Sequence, residues 1–135
     1  MLAAAHARYA GLIEDGAILL DDSDAARVDA FLADHAPTSP VLRHNLHAAG
    51  LIFTGLSNSG TWVASRAGDA ITGVVAHARN GHLFLQAPRD VGALARHAVA
   101  RSGRAIAGLA GPRVQLEAAR AALGLADRAV AVERH

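Results

Sequence analysis

At 135 residues, with a formal net charge of +1 and no cysteine, the chain is one domain long and needs neither disulfides nor metal to bury a core. Its balanced charge argues against the phosphate-backbone footprint of a nucleic-acid binder, and no apolar run nears the ~20 residues of a membrane span. Thiolate metal sites and cysteine nucleophiles are excluded too. Lysine is also absent, so Schiff-base, amine-nucleophile and P-loop-lysine chemistry cannot occur here. The composition is 52% hydrophobic but only 4% aromatic, which forecasts an aliphatic core. Met1 to Ala5 is apolar but short, with no early basic region; without an export signal the expected compartment is the cytoplasm.

The first predicted element is a helical extension over 1–16, with Leu2, Tyr9, Leu12 and Ile13 toward one face and Gly16 at its end. The domain proper is expected over 17–135. Ala17 to Leu20 suits a short strand. Asp21-Asp22-Ser23-Asp24 supplies N-cap candidates and first-turn acids for a helix that buries Ala25, Val28, Phe31 and Leu32. Ala36-Pro37-Thr38-Ser39-Pro40 breaks that helix, and a second follows with Val41, Leu42, Leu46 and Ala49 on one side, ending at Gly50. Leu51 to Gly60 has loop composition, although Leu51, Ile52 and Phe53 need cover.

A meander comes next. Thr61 to Arg66 is one predicted strand, Ala67-Gly68-Asp69 a turn, Ala70 to Arg79 a second strand, and His82 to Gln86 a third. Asn80-Gly81 between the last two predicts a type I′ hairpin turn. The loop Ala87 to Asp90 opens a helix over Asp90 to Arg101, with Val91, Leu94, Ala95, Ala98 and Val99 inward and Ser102-Gly103 closing it. Arg104 to Leu109 reads as a buried strand, parallel to its predecessor because a helix separates them. Gly111-Pro112 starts a further helix with Val114, Leu116, Ala118, Ala119, Ala122 and Leu123 available for packing, and Gly124 ends it. Ala129 to Val132 forms a last strand. The expected class is α/β: a single domain with a mixed sheet, an antiparallel meander and flanking helices.

Strand, two helices, three-strand meander, helix, strand, helix, strand is an order that resembles the GNAT acyltransferase fold over 17–132. Several local runs are similar, in register, to the degenerate N-terminal half of bacterial two-domain GNAT-family N-acetyltransferases. These are Phe31-Leu32 before a Pro/Ser turn, Leu42-Arg43-His44-Asn45-Leu46 with Ala49-Gly50-Leu51, and Asn80 through Pro88. Gly108 to Pro112 with Gln115, and Ala121 to Leu125, complete the set. The resemblance implies an N-acyltransferase-like domain, the non-catalytic or degenerate half of an N-acetyltransferase. It also implies acetyl-CoA as the cofactor, not held by this domain alone, and a C-terminal GNAT domain or a second copy as partner. The cofactor-binding positions that it implies are Gln86, Arg89 and Gly92. The loop departs from the family pattern, Gln/Arg-x-x-Gly-x-Gly/Ala. Leu94 stands where a small residue should let backbone approach pyrophosphate, and Asp90 is placed to cap the helix with a carboxylate where a phosphate would sit.

Read without the resemblance, a strand, a loop and a helix N-terminus make a place where phosphate can bind. Gln86 ends a strand whose parallel neighbour is expected to splay, and Gly108, Gly111 and Pro112 face the same end of the sheet. The plain alternatives are a capped strand end and glycines that merely permit a turn. His77 and His82 flank the hairpin; with no third ligand nearby they make no zinc site and are expected to face solvent. His35, His44 and His47 are expected as surface residues. No metal site is expected. Acid–base groups on the strands are few and His77 is the least implausible base, which weakens a self-sufficient enzyme. Ser57, Ser59 and Ser65 sit in no nucleophile-elbow context. The competing expectation is a non-enzymatic interaction, dimerisation or small-ligand-binding module.

Overall fold

A computed structural model describes residues 17–125 and the strand at 131–134, so the helical extension expected over 1–16 lies outside the described residues. The acidic run at 21–24 caps in two steps. Asp21 opens a 3-10 turn, Asp22–Asp24, accepting from the Ser23 N–H while the Asp24 carboxylate accepts from the Asp21 N–H. Helix α1, Ala25–Asp34, follows and buries Val28, Phe31 and Leu32. A second 3-10 turn, Ala36–Thr38, leads to α2, Pro40–Ala49, whose proline occupies a first-turn position that needs no N–H. Gly50, at φ 71°, ends α2. A Cβ there would lie 2.7 Å from Asp22 Oδ1, the same oxygen that accepts from the Leu51 N–H at 2.8 Å. The chain after α2 is thereby tied to the start of α1.

Six strands form one mixed sheet in sequence order: β1 (Ile18–Leu19), β2 (Gly60–Ala67), β3 (Ala70–Ala78), β4 (His82–Gln86), β5 (Gly108–Gly111) and β6 (Ala131–Arg134). Pairing is antiparallel through β4 and parallel from β4 to β6. Helix α3, Val91–Ser102, makes the crossover from β4 to β5, and α4, Arg113–Ala122, lies between β5 and β6. Both faces are covered. Val28, Phe31, Leu32, Leu42 and Leu46 pack on Trp62, Val74, Ala76 and Phe84. On the other face Leu94, Ala98 and Leu116 pack on Val63, Val75, Leu83, Leu85 and Leu109. Two-sided burial explains why the central strands read as apolar runs rather than alternating ones. The mixed α/β fold, its meander and the parallel β4–β5 pair match the expectation from sequence. Among the described residues no helix is long and apolar enough to cross a membrane.

Four local expectations are corrected. The hairpin turn is not type I′, because Asn80 does not take positive φ. Residues 79–81 form a three-residue loop in which only Gly81 is left-handed, at φ 92°. Gly81 is required on packing grounds as well, since a Cβ would come within 2.9 Å of the Ala105 carbonyl and the Ala107 side chain. Strand β5 begins at Gly108 rather than Arg104; before it, the chain crosses the hairpin tip outside the ladder, with Ala107 N–H donating to Gly81 O. Val114 is 78% exposed, and α4 packs instead through Gln115, Leu116 and Ala119. Finally, Leu51 is buried, but Ile52 and Phe53 remain 48% and 41% exposed rather than covered.

Candidate functional site

The expected cofactor position lies where β4 ends and α3 begins. Gln86 is not on a splayed edge. Its side chain is buried, and its Oε1 accepts two hydroxyl hydrogen bonds from the start of α2, from Thr38 Oγ1 at 2.7 Å and Ser39 Oγ at 2.8 Å. The next backbone donor is taken as well: Ala87 N–H donates to Gln115 Oε1 on α4 at 2.8 Å, in a buried bond. Nor does β5 lean away. A Cβ on Gly111 would meet the Leu85 Cβ and carbonyl oxygen, each at 2.9 Å, so the two backbones close on one another at the very end where a cofactor would enter. The crevice among Thr38, Leu85 and Ala110 has no volume open to a water.

The remaining loop residues have separate structural duties. Gly92 is where α3 and α4 touch, and a Cβ at that position would lie only 2.9 Å from the Ala122 Cβ. Leu94 is fully in the core. Arg89 is exposed, and Asp90 stands at the N-cap of α3 but its side chain accepts no capping hydrogen bond, contrary to expectation. Gln86, Arg89 and Gly92 therefore do not converge on one cavity. The strand-end amide is already bonded and the crevice beside Leu85 and Ala110 is closed to water, while the first turn of α3 carries no side-chain cap.

The opposite end of the sheet is open. His77, expected to face solvent, is wholly buried on β3. Its Nε2 lies 3.1 Å from both Gly81 O and Ala105 O, and two carbonyls require the proton to be on that nitrogen. Nδ1 is then the acceptor, taking the Ser102 hydroxyl hydrogen at 2.6 Å. Burial holds the imidazole below its ordinary pKa, against the pull of the two carbonyls. A serine bonded to a histidine has the outline of a nucleophile and base. Here the ring would have to take up a charge that burial opposes, so the pair is a latch joining β3, the hairpin tip and the end of α3. His82, on the other face, stacks on Phe84 and keeps a buried Nδ1 without a partner.

Beside the latch, Arg104 Nη2 donates to Thr61 Oγ1 and to His77 O, both at 2.7 Å, and the Phe53 ring covers the guanidinium 4.0 Å from its centroid. A cleft of about 610 Å³ opens there, lined by Leu20, Ile52, Phe53, Thr61, Ser102 and Arg104 among others. Its volume falls within the range of small-molecule sites. Sequence reading passed over these residues: an arginine two places after a helix end and a serine in a helix C-terminus carry no periodic or motif signal. Gln115 did leave one, as a polar residue on the buried stripe of α4.

The other histidines do not gather. His44 and His47 are exposed as expected, with His47 Nε2 and Arg43 both on Asp29, whose carboxylate the Arg43 and His47 hydrogen bonds hold below its usual range. His35 is half-buried and donates from Nδ1 to Phe31 O. Among the described residues no group of three or more His, Asp or Glu side chains is placed to hold a metal ion. Comparison with protein-family models, curated proteins and solved structures returns no match.

Proposed function

We propose that the chain is a GNAT-type acyltransferase domain of the non-catalytic kind. It contributes to N-acetyl transfer as the companion of a separate cofactor-holding domain, or of a second copy, rather than by holding acetyl-CoA itself. The single observation that carries this reading is the pair of glutamines at the end of β4. Gln86 is bonded to Thr38 and Ser39, and Gln115 takes the Ala87 N–H, so these strand-end groups are held from inside the protein. The antiparallel meander followed by α3 and a parallel β5 supports the fold side of the reading. The neutral, enclosed His77 supports the non-catalytic side, since it is the base candidate that the sequence offers.

Calorimetry and thermal unfolding with acetyl-CoA test it. A ligand that binds only the native state must raise the unfolding temperature, so neither heat nor stabilisation is expected at about 1 mM acetyl-CoA. Saturable stabilisation, or acetylation of any amine acceptor by the chain alone, contradicts it. The second reading, a small-ligand-binding module, is favoured by one specific observation, the cleft beside Arg104.

A further inference from the structure

We propose that the cleft bounded by Phe53, Thr61, Ser102 and Arg104 is a binding site for a small monocarboxylate with an apolar body. The inference concerns the sheet end remote from Gln86 and stands or falls independently of the GNAT reading.

Charge comes first. Arg104 is half-buried, and burial lowers its hold on its proton relative to an ordinary arginine. Both acceptors of its Nη2 are neutral, and among the described residues no carboxylate lies within 4.0 Å of it; the four ion pairs present there involve other arginines and a histidine. Its Nε is buried with no hydrogen-bond partner. A guanidinium that has lost water without gaining an anion is costly; with both Nη2 hydrogens on Thr61 and His77 and Nε buried, a carboxylate would meet it through Nη1, as one charge-assisted hydrogen bond. The Thr61 hydroxyl, which accepts from Arg104 Nη2, stands beside it as a further polar contact, while the Ser102 hydrogen is committed to His77.

The rest of the cleft limits what such an anion can be. Arg101 and Arg104 set two positive charges against the one carboxylate of Asp21, which its hydrogen bonds from Ser23 hold in the ionised state. The surplus is one positive charge, which suits a single carboxylate better than a phosphate dianion. Part of the lining is apolar: Leu20 is buried, while Ile52 and Phe53 are two of the four large hydrophobic side chains exposed among the described residues. Exposed aromatic and aliphatic surface beside a cation that has no carboxylate partner is what an amphiphilic acid would cover. The loop that presents them is anchored at its start by the Leu51 N–H bond to Asp22 Oδ1. A plain aliphatic acid and an apolar α-amino acid share this chemistry; only the second would also use Asp21, through its ammonium group.

The test is a titration of the chain with sodium hexanoate, L-leucine, hexan-1-ol and inorganic phosphate, read by amide chemical shifts and by unfolding temperature. Hexanoate or leucine is expected to shift the amides of Phe53, Thr61 and Ser102 to Arg104 saturably, and to raise the unfolding temperature at about 10 mM. A response to leucine but not hexanoate assigns the amino-acid form, and loss of that preference in Asp21→Asn confirms it. Arg104→Gln is expected to weaken binding about tenfold or more. Because that variant also loses the bond to His77 O, Phe53→Ala serves beside it: the side chain is exposed, the fold is retained, and binding falls by about three- to tenfold. No saturable shift with either acid overturns the proposal. So does a response to hexan-1-ol equal to that of hexanoate, phosphate binding as tight as the carboxylates, or unchanged affinity in folded Phe53→Ala and Arg104→Gln proteins.

Discussion

The two ends of the sheet handle the same problem in opposite ways. At the Gln86 end, α3 and α4 begin, β4 and β5 finish, and backbone donors are released from the ladder. The chain answers in part with its own side chains: Thr38 and Ser39 donate to Gln86 and Gln115 takes the Ala87 N–H, while the first turn of α3 has no side-chain cap. At the Gly81 end, α3 stops and the hairpin turns; the polar groups there are also tied, through His77 and Ser102, but Arg104 is left with neutral partners beside a cavity. A cleft at a strand's carboxyl end is the usual place for a ligand in an open α/β sheet. In this protein the strand-end amide at the usual place is taken while a cleft opens at the unusual one, so a fold's expected pocket has to be checked bond by bond.

Substitutions at either end can break this contrast. Leu94→Ala should have the largest effect, about 2–5 kcal/mol in chemical denaturation, because Leu94 is a core residue and not a displaced phosphate-loop residue. A mild cost would mean the region is looser than described. Next comes Gln115→Ala, which leaves the buried Ala87 N–H without an acceptor and should cost about 1–3 kcal/mol. If instead the variant gains acetyl-CoA binding at no loss of stability, the glutamine is a removable plug over a working site.

At the other end, pH is the lever. Folding holds His77 below its ordinary value of 6.5, so below that pH the unfolded chain binds more protons than the folded one. Stability from this residue is therefore complete above 6.5, falls as pH drops through it, and levels off below the depressed folded value. Urea unfolding between about pH 7.5 and about pH 5 should show a loss of stability that is smaller in His77→Gln than in the parent. An equal loss in both would place the acid sensitivity elsewhere. Smallest of all, Arg89→Ala should change stability by no more than about 0.5 kcal/mol, because the side chain is exposed. Any accompanying loss of acetyl-CoA affinity would restore Arg89 as a phosphate contact.

The parts of this structure that were legible in the sequence are those set by period and punctuation. The limits of β4 at His82 and Gln86, the helices ending at Gly50 and Gly103, and the parallel β4–β5 pair follow from apolar runs bounded by glycine and proline. What could not be read depends on distance in space. Gln86 meets Thr38 and Ser39 from nearly fifty residues away, and nothing local marks those hydroxyls as partners. His77 reads as exposed because it sits near a turn, but the chain after α3 folds across the hairpin tip and covers it. The Asn80-Gly81 pair marks the right place and the wrong turn type, since only the glycine takes positive φ.

If the ligand-ready end of this domain is the one at Arg104 and not the one at Gln86, a single sample can show both halves of the difference. A nitrogen–proton correlation spectrum is recorded first with acetyl-CoA and then with hexanoate. The expected result is no saturable movement of the Ala87, Val91 and Gly92 amides with acetyl-CoA, and saturable movement of Phe53 and Ser102 to Arg104 with hexanoate. Saturable movement at Ala87 and Gly92 with acetyl-CoA, with the Arg104 end silent, would contradict it.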